Sequence, residues 1–352
     1  MQASLRPRHY HLLSDGELQL LLPVFSVLRD RRASLLDEFF KRYIAHFGSQ
    51  ASLGWRDFSD LYGRDLDAMS KHLSDCDMED FAAEVRALGH VMCERGVPFA
   101  EVMRKNGIIP GIKVDKGPQP LAGFPGEVCT EGLDGLRERL KEYASLGARF
   151  AKWRAVITIG EDSPSGTCIE ANSHALARYA ALCQEAGIVP MVEPEIIMDG
   201  DHDIDTCMEV TEVVLRSLFG ALYDQNVMLE GTILKASMVI SGKSCPEQAS
   251  VEEVAEMTVR CLKSAVPAIL PGIVFLSGGQ SDEAATAHLN AMNQMGPLPW
   301  PLSFSYGRAM QSAALKLWSQ DLNANFASAQ KIVAQRAREN GLAALGRWNK
   351  AA

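Results

Sequence analysis

The eight cysteines of this chain contain no CxxC pair and keep no regular spacing. Neither a zinc site nor a disulfide framework is expected, and most of the cysteines read as small buried hydrophobes. The eight histidines form no ligand triad. His174 and His202 fall in loops or at helix starts and read as surface or capping residues, so no metal and no cofactor is expected. Basic charge is not in excess: the net charge is -9. That argues against a nucleic acid or an anionic membrane as partner, because both require a basic face. It leaves room for a small anion, since a few local Lys and Arg side chains can build a positive pocket. Long apolar runs are missing as well. The stretch Leu18 to Leu28 is too short to span a bilayer and carries Pro23, and the opening MQASLRPRHYHLLSDGELQ is polar and broken by Pro7. No signal peptide is read, and a cytoplasmic location is expected.

What is present is ordinary in bulk and uneven in rhythm. A length of 352 residues, with 47% hydrophobic and 22% charged content, suits one large globular domain plus an extra piece. In the first hundred residues, apolar side chains recur every three or four positions over Asp15 to Leu28, Arg31 to Phe47, Trp55 to His72 and Met78 to Glu94. Leu35, Phe39, Tyr43 and Phe47 make one such stripe. No stretch alternates like a strand, so residues 1–97 are expected to form an all-α helical bundle of unknown role.

The rhythm changes from Gly107. Strand candidates are Ile108 to Val114, Phe150 to Ile157, Ile188 to Glu193, Met228 to Leu234, Gly272 to Leu276 and Leu302 to Ser305. Helical patterns fill the gaps, at Gly132 to Tyr143, His174 to Gln184, Asp205 to Tyr223, Val251 to Ser264, Glu283 to Met295 and Ala309 to Gln320, with a last helix from Asn325 to Leu345. Strand starts lie roughly 30 to 45 residues apart, the spacing of βα units. Residues 98–352 are therefore expected to be an α/β domain of the (β/α)8 barrel type, lacking two of the units that a closed barrel needs.

In such barrels the site sits where strands end, and several strands here end in charge. Lys113 and Asp115 lie in GIKVDKG, Lys152 and Arg154 in FAKWR, and Glu193 and Glu195 in VEPEI. Each pair is two residues apart and so shares one face of a strand. Lys235 closes LEGTIL. Charges are almost never buried without a partner or a task. Further on, FLSGGQS places Ser277, Gly278 and Gly279 before one helix, and SYGRA places Gly307 and Arg308 before the next. Glycines admit an anion to the backbone amides, helix N-termini favour negative charge, and an arginine offers a fork of donors suited to phosphate. These loops are the expected phosphate site.

Cleaving a carbon–carbon bond beside a ketose carbonyl needs an electron sink, and the protonated imine of a lysine supplies one without a metal. An amine attacks only when neutral, and crowding cations favour that form. Lys152 and Lys113 are the candidates to crowd Lys235. A carboxylate must then carry protons, and Glu193 or Glu195 is placed to do so.

These motifs, in this order, resemble class I fructose-bisphosphate aldolase. The resemblance runs from PFAEVMRKNGIIPGIKVDKG through GEVCTEGLDGL, FAKWR, ANSHALARYAALCQEAGIVPMVEPEI, DGDHD, LEGTILK and FLSGGQS to FSYGRA. It implies that Lys235 is the Schiff-base lysine, Glu193 the proton shuttle, and Glu195 an aid to the lysine cluster. Lys152 would stand beside the imine. Lys113 and Arg154 would contact the substrate near its distal phosphate, and Ser277, Gly278 and Arg308 would hold the phosphate nearest the ketone carbon. It also implies a phosphorylated sugar as partner, a role in glycolysis, and a homo-oligomer, usually a tetramer. The family's opening strand with its AADES-like motif, its basic Lys-Arg pair and its FEET-like strand are not found here. Ala236-Ser237 follows the lysine where the family usually has Pro-Asn, and the tail ending in tyrosine is absent. Two other readings therefore stay open, a sugar-phosphate-binding regulatory protein and a truncated fusion product. Apart from the aldolase resemblance, ALGHVMCERGVPFAEVM bears a faint resemblance to helical sensor domains fused to bacterial stress regulators and histidine kinases.

Overall fold

A computed structural model of the chain describes residues 93–94, 97–321 and 324–349. The four helical segments expected in the first hundred residues lie outside these, apart from the end of the last. The chain divides into two compact units, Met1–Ile108 and Ile109–Ala352. In the first unit, β1 (Cys93–Glu94) pairs antiparallel with β2 (Val97–Pro98), and α1 (Phe99–Lys105) follows. At Cys93 and Glu94, where the sequence pattern is helical, the backbone is extended, ahead of the breakers Gly96 and Pro98 in the sequence.

The second unit is built on six parallel strands: β3 (Gly111–Lys113), β6 (Phe150–Ile157), β7 (Val189–Ile196), β8 (Ile233–Ala236), β9 (Ile273–Phe275) and β10 (Leu302–Phe304). Their spatial order is β10-β9-β8-β7-β6-β3, so each strand neighbours the next in sequence. Helices follow the strands as α2 (Leu136–Ser145), α3 (Gly166–Glu185), α4 (Ile204–Asp224), α5 (Val251–Ala265), α6 (Asp282–Gln294) and α7 (Arg308–Trp318), with α8 (Phe326–Ala343) last. Among the described residues no strand pairs with the outer edge of β3 or of β10. The arrangement is the expected (β/α) barrel pattern with six units.

A short antiparallel hairpin, β4 (Pro118–Pro120) with β5 (Val128–Thr130), is inserted after β3 and has no counterpart in the sequence expectation. A 3-10 turn over Leu229–Gly231 occupies the start of the expected strand Met228 to Leu234, which shifts β8 forward so that Lys235 lies inside it.

Local sequence explains where these helices start. Side chains of Ser165, Asp203, Ser250 and Ser281 each accept from a backbone N–H in the first turn of α3, α4, α5 and α6 respectively. Ser250 and Glu253 form a reciprocal capping box. Alternation fixes the faces of the sheet. In β6, Ala151, Trp153, Ala155 and Ile157 are buried, while Phe150, Lys152, Arg154 and Val156 on the other face are half-buried. Trp153 stands 5.5 Å from Tyr179 of α3, ring centre to ring centre, and both are fully buried. Burying a large apolar side chain contributes about 1.5–3 kcal/mol. The helix-facing layer of Trp153, Tyr179, Leu176, Leu215, Leu218, Leu222 and Phe275 therefore carries much of the unit's stability and leaves the other face free for polar residues. Of the six cysteines whose burial the structure describes, Cys168, Cys183, Cys207 and Cys261 are buried free thiols, while Cys129 and Cys245 are half-buried.

Candidate active site

The face of the sheet turned away from this layer carries a ladder of charges. Strand register sets it. In β6 and β7, Lys152 lies opposite Met191 and Arg154 opposite Glu193. Each cation reaches past its direct partner to the carboxylate two residues further on. Lys152 Nζ is 2.8 Å from Glu193 Oε2, and Arg154 Nε donates to Glu195 Oε2. On the other side β7 pairs with β8 through Val192 and Leu234, so the next residue on each strand meets its neighbour. Lys235 Nζ is 2.7 Å from Glu193 Oε1. One carboxylate, 3% exposed, thus serves two ammonium groups that are 13% and 21% exposed. Glu193 Oε2 accepts no hydrogen bond of favourable angle, although the Lys152 ammonium is within ion-pair reach.

Lys113 lies in register with Lys152 on the edge strand β3. It is held by Asp115, whose Oδ1 is 2.7 Å from Nζ, and β6 and β7 stand between it and β8 in the sheet. Of the two cations considered, Lys152 is therefore the one that shares a carboxylate, Glu193, with Lys235. Asp115 proves to be an organiser. It is buried, and it accepts from Gly117 N at 3.1 Å and from Arg154 N at 3.2 Å, tying the end of β3 to β6. Sequence spacing coupled it to Lys113 but gave no sign of the bond to Arg154. At Arg154, burial opposes the charge. The hydrogen bond and field of Glu195, with the fields of Glu193 and Asp115, outweigh that and hold the guanidinium above its ordinary range.

The two expected phosphate loops follow adjacent strands. Leu276 N donates to Ala236 O at 3.0 Å, and Ser305 N to Phe275 O at 2.8 Å, so the ends of β8, β9 and β10 are joined side by side. Ser277 is buried at the mouth of this row. Gly278 and Gly279 take φ values of +54° and +84°, conformations that strain any other L-residue. Gly307 caps α7 with an ordinary φ of -92°, so its conformation does not demand glycine, and Arg308 opens the helix exposed to solvent. A cation that sequence reading passed over, Lys243, sits beside Gly279. Arg336 of α8 was missed too. It donates to Asp282 O at 2.6 Å and to Ala309 O at 3.0 Å, in the first turns of α6 and α7. Of the two histidines considered from the sequence, His174 is exposed on α3. Both ring nitrogens of His202 are buried without a hydrogen-bond partner, and burial lowers its affinity for a proton. Among the described residues no cluster of three or more His, Cys, Asp or Glu could hold a metal ion.

Fold and site together are those of a (β/α)-barrel lyase. The family model for fructose-bisphosphate aldolase class-I matches residues 89–352. A probable fructose-bisphosphate aldolase class 1 of Xanthomonas axonopodis pv. citri is 80% identical over 253 residues, covering 72% of this chain and 76% of that one. Fructose-bisphosphate aldolase C of Mus musculus is 52% identical over 257 residues, 72% of this chain and 70% of that one. A solved fructose-bisphosphate aldolase from Plasmodium falciparum, in complex with TRAP and a small-molecule inhibitor, superposes with a TM-score of 0.71 at 47% identity, covering 73% of this chain and 74% of that one. The chain belongs to the class I fructose-bisphosphate aldolase family, glycolytic lyases that act on a phosphorylated sugar.

Proposed function

We propose that Lys235 forms the imine with the ketone carbon of fructose 1,6-bisphosphate and that Glu193 moves the protons of its formation and breakdown. The observation that carries this reading is the single buried carboxylate of Glu193, 2.7 Å from Lys235 Nζ and 2.8 Å from Lys152 Nζ. The amine adds to the carbonyl, and the resulting carbinolamine loses its hydroxyl as water once a proton is delivered to it. The C3–C4 bond then breaks. Its electron pair moves into the imine to give an enamine, the C4 hydroxyl loses its proton, and glyceraldehyde 3-phosphate departs. Protonation of the enamine carbon and hydrolysis release glycerone phosphate and restore the lysine. Glu193 Oε1, which faces the Lys235 nitrogen at 2.7 Å, is placed to exchange these protons while Oε2 is paired with Lys152. Lys152 keeps that carboxylate in place and stabilises negative charge developing at the scissile bond, and Glu195 holds Arg154. Lys113 and Arg154 receive the distal phosphate. Ser277, Gly278, Gly279, Gly307 and Arg308 receive the phosphate nearest the ketone carbon. A cytoplasmic location and a homo-oligomer complete the reading. It agrees with a chain in which no described helix is long and apolar enough to cross a membrane.

The test is incubation with fructose 1,6-bisphosphate and borohydride, read by mass spectrometry alongside a triose phosphate assay. Adduct at Lys235 and triose phosphate release are expected, and both vanish in Lys235→Met. A Lys235→Met protein that still turns over sinks the assignment. The unpaired outer edges of β3 and β10 among the described residues favour a second reading. Strands there would line the same cavity, and without them binding and imine formation outlast cleavage. Adduct without triose phosphate distinguishes it.

A further inference from the structure

The loops that follow β7, β8 and β9 converge on a lysine that the reaction above leaves unused. Lys243 lies in the loop after β8, and its place there is built. Gly242 N donates to His202 O, Lys243 N to Met198 O and Ser244 N to Gly200 O, each at 2.8 Å. These three bonds splice residues 242–244 along residues 198–202. The splice is close enough to require glycine at its centre, because a Cβ on Gly242 would stand 2.4 Å from Gly200 O. The lysine side chain then extends to the glycine pair after β9. A methyl group added to Gly279 would meet Lys243 Nζ at 3.3 Å and Cε at 3.4 Å. The ammonium is therefore one small group away from the backbone of the expected phosphate loop. Its present partner is Asp199 Oδ1 at 2.7 Å, in a pair whose side chains are 45% and 70% exposed. Water and salt screen such a pair, so Asp199 holds the ammonium weakly. A phosphate dianion seated on the Ser277–Gly279 loop offers the same kind of charge-assisted hydrogen bond with twice the charge of Asp199, and so competes for the ammonium.

We propose that Lys243 is a further phosphate ligand of this site, exchanging Asp199 for the phosphomonoester nearest the ketone carbon of the bound ketose or triose. The proposal rests on the assignment of the Ser277–Gly279 loop as the phosphate site. It adds a third strand-end loop, the one after β8, to the two that carry Ser277 and Arg308. Asp199 is the resting partner that keeps the side chain over the loop when no phosphate is bound.

The test uses the full-length protein and glycerone phosphate, which carries only this phosphate, with inorganic phosphate as a second probe. Calorimetric Kd values and steady-state constants are compared for wild type, Lys243→Met, Lys243→Arg, Asp199→Asn, Ser277→Ala and Arg308→Ala. Lys243→Met is expected to weaken glycerone phosphate binding about tenfold and to raise KM for fructose 1,6-bisphosphate by about as much, with kcat within about twofold. Lys243→Arg recovers most of the loss, and Asp199→Asn binds at least as tightly as wild type. If Ser277→Ala and Arg308→Ala weaken binding while Lys243→Met stays within about twofold of wild type, the proposal is overturned and the phosphate assignment stands. If all three bind like wild type, the assignment of the loop falls and the proposal with it. A loss in Lys243→Met that Lys243→Arg fails to recover also overturns the proposal, since damage to the loop rather than loss of charge then explains it. Should Lys243→Met fold poorly, Lys243→Gln, which also removes the charge, takes its place and is judged by the same criteria.

Discussion

Glu193 on β7 and Lys235 on β8 face each other across one step of parallel register, with 2.7 Å between carboxylate and ammonium. Removing the proton-carrying capacity while keeping the shape isolates what this contact does. Glu193→Gln is expected to lower kcat about 10²- to 10⁴-fold, with a parallel fall in the rate at which borohydride traps the imine. A variant that traps at the wild-type rate would show that another group carries the protons. Glu193→Ala would be a worse test, because it strands two partly buried ammonium groups and costs stability, about 3–5 kcal/mol for a broken buried pair.

Arg336 is expected to matter for both fold and site. It is a largely buried cation on α8 whose hydrogen bonds to Asp282 O, Thr286 Oγ1 and Ala309 O tie together the first turns of α6 and α7. Arg336→Leu should lower unfolding free energy by about 2 kcal/mol, because three part-buried acceptors lose a charged donor together. Denaturant titration reads the loss, and Kd for inorganic phosphate reads whether the two helix starts still act jointly. Unchanged stability would contradict the tie.

His288 gives the molecule an acid-side weakness. Burial pushes its proton affinity down to about 4, and its Nδ1 lies 2.6 Å from Gln280 Oε1. The nearby charge of Glu252 acts the other way and is outweighed. In the folded protein His288 stays neutral down to about that pH, while in the unfolded chain it takes a proton near 6.5. The unfolded state thus binds more protons between these values. Stability falls as pH drops through that window and then levels off, by on the order of 3 kcal/mol in total. His288→Gln should flatten this slope in urea titrations at pH 7.5 and 5. An identical slope in variant and wild type would refute it.

Gly242 is the fourth test position. Gly242→Ala places a methyl against Gly200 O at 2.4 Å, and backbone cannot yield as a side-chain tip can. The expected result is a destabilisation of about 1–3 kcal/mol, with loss of the hydrogen-exchange protection of Lys243 and Ser244 amides. Retained protection at those amides would argue that the spliced loops tolerate separation.

Much of this was readable from the sequence, for a physical reason. Phe150 to Ile157 reads as a strand and is one, because small or apolar residues alternate with Lys152 and Arg154 along it. The charged pairs two apart declared a shared face, which the register then turned into contacts. Elsewhere the pattern misled. Helix α3 begins at Gly166 rather than near His174, since its first turns bury Cys168, Asn172 and Ser173, which a hydropathy stripe does not register. The hairpin of Pro118–Pro120 with Val128–Thr130 is too short and too rich in proline to read as strands. Lys243, Arg336 and the bond of Asp115 to Arg154 depend on residues at least two dozen positions away, and no local periodicity reports such meetings.

The sharing of Glu193 has a kinetic consequence. Two ammonium groups against one carboxylate leave the centre of the site with a surplus positive charge, inside a chain whose total is -9. Viewed from afar the molecule repels an approaching bisphosphate, and within about 8 Å, the screening distance at physiological salt, the site attracts it. Encounter is therefore slowed by distant charge and capture is local. Moderate added salt should speed the first while weakening the second, so that the association rate and the affinity respond to ionic strength in opposite directions.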